Sequence, residues 1–287
     1  MNYSHRIKVT IMVFCILLFI TNSLSAVSYF HSKDTVSNYL SLDKKTKAFS
    51  IPRVSFQNQR LILFQPPSLV KPASGYPVLF LLHGASQYPF AWFFPWNQWS
   101  YQQSSFAQKA INAGFFVIAP SSGRPIRPGF HAWSSFISDI SDSEDLQLFQ
   151  SLFSWIENQS DLLDKNHVYC AGFSSGGFMT SRLAKVFPDK FAAVLIHSGT
   201  DADSITFTIK GPEFDCESPK VYHPNHPPTL IVHGETDSLV PYECGLHLYE
   251  ELQRNNIDST LLTNEEKGHI WLSSLSEEMI DWFQSYF

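Results

Sequence analysis

The strongest indication of the fold is the segment Val168-Tyr169-Cys170-Ala171-Gly172-Phe173-Ser174-Ser175-Gly176-Gly177. It reads as a short apolar strand that runs into Gly-x-Ser-x-Gly and then into a helix-compatible segment. This is the context of a nucleophile elbow, a sharp turn that presents a serine at the top of a sheet. Glycines are needed at both ends because a Cβ atom there would collide with the neighbouring strand and helix. The pattern predicts Ser174 as a nucleophile if a base, an acid and an oxyanion donor accompany it.

Apolar runs and helical periodicities alternate on both sides of this segment. The run 78–82 is continuously apolar and is followed by His83-Gly84, which favours a strand buried on both faces. Alternation of this kind predicts a mainly parallel sheet with helices on both faces. No second domain boundary is visible, so residues 27–287 are expected to form a single catalytic domain. Further strands are predicted at 61–64, 115–119, 168–173, 192–196, 229–232 and 259–262, and helices at 106–113, 144–157, 176–187, 242–254 and from 276 onward.

The composition excludes several classes of protein. The chain has 287 residues, 44% of them hydrophobic, which is enough to bury a large core. The formal charge of −6, with scattered Lys and Arg, argues against a nucleic-acid partner. Aromatic residues make up 15%, an excess that suggests an apolar or stacking surface beyond the needs of the core.

Residues 1–26 have the organisation of a signal peptide. A basic stretch with His5, Arg6 and Lys8 precedes an apolar run of about a dozen residues, which is too short for a comfortable membrane span. Small residues then lead to a cleavage site at or beside Ala26. We therefore expect a secreted or periplasmic protein without a stable membrane span; the alternative is an uncleaved N-terminal anchor.

Export places the cysteines in an oxidising compartment. Cys170 lies in the strand before the elbow and is expected to be a buried thiol. Cys216 and Cys244 flank a later strand and could form a disulfide, or both could be free thiols. No Cys-x-x-Cys pair or His/Cys spacing indicates zinc, so neither a metal nor a cofactor is expected.

The acid of the site is expected after the strand 229–232. Asp237 lies in the loop beyond this strand, where groups that face a ligand collect in open α/β sheets. Glu235 is the second choice for the acid, and Asp201 and Asp203 are the third. A turn or capping role is the alternative for Asp237.

His269 is the expected base. It follows the next extended segment, and Gly268 before it lets the loop bend back over the elbow. The order Ser174, Asp237, His269 is the order in which α/β-hydrolases carry their triad. His223 and His226 precede the acid and so have the wrong order. His131 and His197 are expected to be structural, and a place in the binding site is the alternative for both.

The oxyanion hole needs two preorganised N–H donors. One is expected from Ser175, directly after the nucleophile. The other is expected from Ala85, in the loop that leaves the strand 78–82. His83 and His233 each stand before a glycine at a strand end, and we interpret both as residues that brace loops.

Together these segments resemble the esterase branch that contains polyhydroxybutyrate depolymerase-like and feruloyl esterase-like proteins. The resemblance runs from about residue 76 to the C-terminus and rests on 81–84, 172–179, 187–193, 198–199, 233–241 and 268–271. It implies the α/β-hydrolase fold and a secreted serine esterase with the triad Ser174, Asp237 and His269. Substrates of the family include polyesters, feruloyl and acetyl esters on plant polysaccharides, and small aryl esters.

A dense aromatic block at 88–99 departs from the commoner pattern of this branch. It has no helix or strand period, and two prolines interrupt it. We expect Trp92 and Trp96, helped by Trp133 and Trp271, to line the acyl pocket, where aromatic rings would suit an apolar or hydroxycinnamoyl group. A loop packed into the core is the alternative.

Two other functions compete with a serine ester hydrolase acting on feruloyl, acetyl or polyhydroxyalkanoate esters. A serine peptidase of the prolyl-oligopeptidase kind shares the fold, the Gly-x-Ser-x-Gly-Gly pattern and the acid loop. We expect no propeller-sized domain that would gate peptides, which argues against this function. A hydrolase fold used only for binding is the third possibility, and the intact triad argues against it.

Overall fold

The computed structural model describes residues 53–56, 59–66, 71–85, 98–122, 125–127, 130–208 and 211–287. The signal peptide expected at 1–26 lies outside the described residues, and so do Trp92 and Trp96.

Strands and helices alternate through most of the described chain. The strands are β1 (Arg53–Phe56), β2 (Gln59–Phe64), β3 (Tyr76–Leu82), β4 (Phe116–Pro120), β5 (Pro125–Arg127), β6 (Phe130–His131), β7 (Leu163–Phe173), β8 (Ala193–His197), β9 (Ile205–Thr208), β10 (Gly211–Phe214), β11 (Thr229–Gly234) and β12 (Ser259–Asn264). The α-helices are α1 (Gln98–Asn112), α2 (Glu144–Glu157), α3 (Ser175–Val186), α4 (Tyr242–Arg254) and α5 (Ser276–Gln284), and short 3-10 turns lie at Ile140–Asp142, Pro188–Lys190, Ala202–Ser204 and Ser273–Leu275.

Eight strands form one sheet in the order β1-β2-β4-β3-β7-β8-β11-β12. The pairs from β4 to β12 are parallel, whereas β1 and β2 join antiparallel at one edge. The expected mainly parallel sheet is therefore confirmed. In such a sheet the carboxyl ends of β3, β7, β8 and β11 meet at one edge, where ligand-facing groups collect.

The two faces of β3 explain its continuous apolar sequence. Val78, Phe80 and Leu82 pack with α2 on one side, and Leu79 and Leu81 pack on the other. Alternate residues of a strand point to opposite faces, so a strand covered by helices on both sides needs apolar residues at every position. The same burial on both faces holds the end of β3 in place, and the loop that begins at His83 starts from this fixed point.

Helix α1 begins earlier than the sequence predicted. It starts at Gln98 rather than at Phe106, so the end of the aromatic block is helical. The first turns are rich in Ser and Gln, and apolar periodicity gives no signal there. Gln103 is nevertheless buried and its side-chain amide donates a hydrogen bond to Leu82 O at 3.0 Å. A buried polar side chain whose hydrogen bonds are made inside the core cannot be recognised from the pattern of apolar residues.

A disulfide joins Cys216 to Cys244. It links the segment after the hairpin β9–β10 to the first turn of α4, and decides between the two alternatives that the sequence left open. Cys170 is a buried free thiol, as predicted.

Candidate active site

Ser174 lies at the junction of β7 and α3 in a backbone conformation that is rare for a residue with a side chain. Its φ is 54° and its ψ is −118°. Backbone hydrogen bonds enforce this geometry: Ser174 N–H donates to His197 O at 2.8 Å, and Phe178 N–H donates to Ser174 O at 3.0 Å. Strain of this kind costs of order 1–3 kcal/mol and persists only where the surroundings over-determine it. The turn holds the side chain clear of both the strand and the helix.

Gly172 and Gly176 make the turn possible because neither leaves room for a side chain. A Cβ on Gly172 would lie 2.0 Å from Gly176 O, and a Cβ on Gly176 would lie 2.5 Å from Leu82 O. Both contacts are far inside van der Waals distance, and both are with backbone atoms. The spacing of the two glycines in the sequence therefore follows from the close passage of α3 over β7 and β3.

Ser174, His269 and Asp237 form a continuous hydrogen-bonded row. His269 Nε2 is 2.9 Å from Ser174 Oγ, and His269 Nδ1 is 2.6 Å from Asp237 Oδ2. The side chain of His269 is 6% exposed and that of Asp237 is 0% exposed. The structure thus brings together three side chains that are separated by 95 and 32 positions in the sequence.

Asp237 is held as a carboxylate. Burial by itself raises its pKa, but hydrogen bonds from His233, His269 and the Val240 amide outweigh burial and hold the pKa well below its usual range. The Leu239 and Val240 amides donate to Oδ1 at 2.9 and 3.0 Å. A carboxylate only accepts hydrogen bonds, so the proton of the His269 ring lies on Nδ1. Nε2 is then free to accept the proton of the Ser174 hydroxyl.

His233 is a second histidine on the same carboxylate. Its Nε2–H donates to Val240 O at 3.0 Å and lies 3.3 Å from Asp237 Oδ2. The ring therefore ties the end of β11 to the acid loop, which confirms that His233 braces a loop. The sequence signal was the His-Gly pair at the strand end, but nothing in the sequence showed the contact with Asp237.

His83 braces the loop after β3 in a similar way. Its Nδ1–H donates to Gly84 O at 2.6 Å, and its Nε2 accepts from Ser122 N–H at 3.1 Å. Burial lowers the pKa of His83 to about 4, so the ring is neutral at pH 7. Ala85 follows this braced pair, and Ser175 begins α3 directly after Ser174. Both candidate oxyanion donors thus lie just beyond the carboxyl ends of strands, Ala85 after β3 and Ser175 after β7.

Trp133 and Trp271, which we expected to line the acyl pocket, have buried rings. Trp133 is 2% exposed and Trp271 is 1% exposed, so both rings belong to the core. Trp271 stacks on His197 with ring centroids 4.6 Å apart, and Trp133 packs on His83 at 5.0 Å. Both rings therefore pack against histidines whose hydrogen bonds hold the loops of the site.

The alternative acids are engaged elsewhere or exposed. Glu235 is exposed, although it lies two positions before Asp237. Asp201 forms an ion pair with Lys185 at 2.8 Å, and Asp203 pairs with both Arg182 and Lys185. The geometry therefore favours Asp237 among the four carboxylates considered.

Neither a metal centre nor a membrane helix is found in the described part of the chain. No group of three His, Cys, Asp or Glu side chains within the described ranges is arranged to hold a metal ion. Among the same residues, no helix combines the length and apolar character that crossing a bilayer requires.

Comparison with known proteins agrees with this geometry. The prolyl oligopeptidase family matches residues 130–287. The chain is 30% identical over 242 residues to poly(3-hydroxyoctanoate) depolymerase of Pseudomonas fluorescens, which covers 79% of this chain and 80% of that protein. It is 26% identical over 231 residues to a probable dipeptidyl-peptidase 5 of Emericella nidulans, and there it covers 73% of this chain but 30% of the relative.

Solved structures with the same fold include several esterases. A truncated carbohydrate esterase from gut microbiota superposes with a TM-score of 0.56 at 17% identity, over 79% of this chain and 90% of that one. Acetyl xylan esterase from Aspergillus awamori superposes with a TM-score of 0.55 at 17% identity, over 82% and 98%. Because both identities are 17%, this structural likeness shows the fold alone.

The fold and the site define a hydrolase of the α/β-hydrolase class. More closely, the chain belongs to the prolyl oligopeptidase family, whose domain matches residues 130–287, and to the family of poly(3-hydroxyoctanoate) depolymerase.

Proposed function

We propose that this protein is a serine carboxylic ester hydrolase that works through an acyl-enzyme. The observation that carries the proposal is the hydrogen-bonded row from Ser174 Oγ through His269 to Asp237 Oδ2, at 2.9 and 2.6 Å. A neutral hydroxyl is a weak nucleophile, and a base within hydrogen-bond distance whose tautomer is fixed by an acid is what activates it.

In the acylation half, Ser174 Oγ attacks the ester carbonyl carbon while His269 Nε2 takes the hydroxyl proton. The carbonyl oxygen becomes an oxyanion, which the N–H groups of Ser175 and Ala85 stabilise. Asp237 keeps the proton on Nδ1 and stabilises the positive ring that forms. Collapse of the intermediate breaks the bond to the leaving oxygen, and His269 returns its proton to that alcohol.

In the deacylation half, a water molecule replaces the alcohol. His269 takes a proton from this water as its oxygen attacks the acyl carbon of the ester on Ser174. A second oxyanion forms in the same place and collapses, and the proton passes from His269 to Ser174 Oγ. The products are the carboxylic acid and the free enzyme.

The substrate class that we propose is an ester with an apolar acyl group, of the polyhydroxyalkanoate type first and the feruloyl or acetyl type second. The relative with 30% identity, of which the alignment covers 80%, is a poly(3-hydroxyoctanoate) depolymerase.

A peptidase is the second candidate, favoured by the family match and by the dipeptidyl-peptidase relatives. The same three side chains would serve amide cleavage, because acyl transfer to serine follows the same steps. The chain spans less than a third of those relatives, so what their names say about peptides is not transferred to it.

We also propose that the protein is exported. The disulfide between Cys216 and Cys244 supports an oxidising compartment, and so does the signal-like sequence at 1–26. N-terminal sequencing of the protein recovered from the medium or periplasm tests this. A mature chain that begins near residue 27 supports export with cleavage, and full-length protein in the cytoplasm contradicts it.

A hydrolysis panel tests the enzymatic proposal. Poly(3-hydroxyoctanoate), acetyl, butyryl and feruloyl esters and dipeptide amides are offered to the wild type, Ser174→Ala and Ser154→Ala, an exposed serine of α2 that serves as the matched control. We expect ester hydrolysis in the wild type and the control and its loss in Ser174→Ala. Equal ester hydrolysis in Ser174→Ala contradicts the mechanism, and cleavage of the amides alone assigns the chain to the peptidases.

A further inference from the structure

Trp133 joins the two segments that carry the candidate oxyanion donors, the start of α3 and the loop after β3. Its backbone N–H donates to Ser175 Oγ at 2.9 Å, and its indole Nε1–H donates to His83 O at 2.9 Å. Ser175 begins α3 and His83 directly follows the strand β3, so one residue forms a hydrogen bond with each side of the hole. The catalytic row described above uses neither of these hydrogen bonds.

The bond to His83 O acts on the orientation of the backbone that leads to Ala85. The carbonyl of His83 and the N–H of Gly84 belong to one planar peptide group, so holding the oxygen fixes the direction in which the loop leaves the strand. The indole ring also packs on the His83 ring at 5.0 Å with an interplanar angle of 37°. The loop is thus held by the Trp133 side chain and by the bonds that His83 itself makes.

Trp133 is held firmly by its own neighbours. Ser134 N–H donates to Asp145 Oδ2 at 2.8 Å, and Arg182 Nε–H donates to Ser135 O at 2.7 Å. Asp145 lies on α2 and Arg182 on α3, and both are buried. The segment after Trp133 is therefore bonded to two helices, and the indole has a fixed support from which to position other groups.

We propose that Trp133 is a positioning residue that sets the distance and direction between the two oxyanion donors, Ser175 N–H and the N–H of Ala85. The inference rests on the proposed ester hydrolase, and it goes beyond it by naming the residue that preorganises the hole. Trp133 acts through His83 and Ser175 and does not touch the substrate. It therefore affects stabilisation of the tetrahedral intermediate more than binding of the ester.

The expected signature is a loss in kcat at nearly constant KM. An oxyanion donor contributes about 10²–10³-fold to the rate, and a donor that is displaced rather than removed should lose a part of this. We expect Trp133→Phe, which keeps a ring in place and removes the indole N–H, to lower kcat about 10-fold with KM within about 2-fold. The rate of phosphonylation of Ser174 by a fluorophosphonate should fall in proportion, because that reaction also develops charge on an oxygen in the hole.

Trp155→Phe is the matched control. Trp155 belongs to the same core cluster as Trp133, but its indole Nε1–H has no hydrogen-bond partner within the described residues. The substitution makes the same change in ring size in the same core and removes no hydrogen bond. We expect kcat, KM and the phosphonylation rate of Trp155→Phe to stay within about 2-fold of the wild type.

Ser175→Ala is the second variant, and it keeps the proposal testable if Trp133→Phe does not fold. It removes the acceptor for Trp133 N–H but keeps the Ser175 backbone donor. We expect a several-fold loss in kcat at constant KM. If Trp133→Phe folds, the double variant should lose less than the product of the two single losses, because both bonds support one arrangement.

Three results would overturn the inference. If Trp133→Phe matches Trp155→Phe in kcat and in phosphonylation, Trp133 is a core residue only. A rise in KM at constant kcat would mean that Trp133 contacts the substrate. If the wild type neither cleaves esters nor reacts with the fluorophosphonate at Ser174, the proposed function fails and this inference fails with it. The first two results leave the proposed function intact.

Discussion

His197 Nε2 accepts a hydrogen bond from the backbone N–H of Leu272 at 2.8 Å. Leu272 lies three residues after His269, and the carbonyl of His197 accepts from Ser174 N–H at 2.8 Å. One buried histidine therefore bonds both to the elbow and to the loop that carries the expected base. Burial holds the pKa of His197 well below its ordinary value, so its ring remains a neutral acceptor.

Replacing His197 with Phe should separate the effect of its hydrogen bond to Leu272 N–H from the effect of its ring packing on Trp271. The phenyl ring can still stack on Trp271, but Leu272 N–H loses its acceptor, at a cost of about 1–3 kcal/mol. We expect kcat for a butyryl ester to fall about 10-fold and the melting temperature to fall. His226→Phe is the control, because His226 is also buried and its ring accepts no hydrogen bond from the base loop in the described structure. If the two variants have equal kcat, the coupling through His197 is refuted.

Asp237→Asn should test the tautomer argument. The amide can donate where the carboxylate only accepted, so the proton of His269 is no longer held on Nδ1. We expect kcat to fall about 10³–10⁴-fold with little change in the far-UV circular dichroism spectrum. Glu235→Gln, at an exposed carboxylate of the same loop, should leave kcat within about 2-fold. A larger loss in Glu235→Gln than in Asp237→Asn would assign the acid to Glu235.

Stability should fall on acidification because of His83. Its pKa is lowered by burial to about 4 in the folded protein, against about 6.5 when unfolded. Between these pH values the His83 ring is protonated in the unfolded chain but neutral in the folded protein. The free energy of unfolding therefore decreases as the pH falls from about 6.5 to about 4. The contribution of this residue to the decrease is on the order of 3 kcal/mol.

The measurement for His83 is urea denaturation of the wild type, His83→Asn and His223→Asn between pH 7 and 4. His83→Asn should be less stable at pH 7, since it loses buried hydrogen bonds, and should show a flatter pH dependence. His223 is exposed, so His223→Asn should follow the wild type. Burial also lowers the pKa of His226 to about 4 and that of His197 well below its usual range, so part of the slope should remain in His83→Asn. A slope identical to that of the wild type would show that the His83 ring does not contribute.

The disulfide between Cys216 and Cys244 should contribute substantially to stability. It spans 28 residues, and closing a loop of that size in the unfolded chain corresponds to about 3–4 kcal/mol on the chain-entropy description. Replacing both cysteines with Ser should lower the free energy of unfolding by about that amount. Reductant should destabilise the wild type and leave the double variant unaffected. Equal free energies of unfolding for the wild type and the double variant under oxidising conditions would contradict the prediction.

The sequence located the catalytic row because its clues are local and ordered. Ser174 lies between two glycines that the turn requires, and Asp237 and His269 follow strands whose carboxyl ends must meet at one edge of a parallel sheet. It did not reveal the part of helix α1 that precedes Phe106. Gln103 faces the core there with its side-chain amide hydrogen-bonded to Leu82 O, and a polar residue adds nothing to an apolar pattern. The antiparallel hairpin β9–β10 was also missed, since its short strands carry little periodic signal.

Local sequence was enough to predict the order of the main parallel strands and of the helices between them, the serine in the sharp turn and the two side chains that would meet it, since periodicity, glycine sterics and chain order act over short stretches. The direction in which Trp133 and Trp271 point was decided by tertiary structure. Both looked like parts of a pocket, and both are buried supports, one for the oxyanion loop and one for His197. The same is true of His233, whose contact with Asp237 depends on the path of the acid loop. Aromatic and imidazole rings suit a core or a site equally well, and only the packing of distant segments against them decides which they occupy.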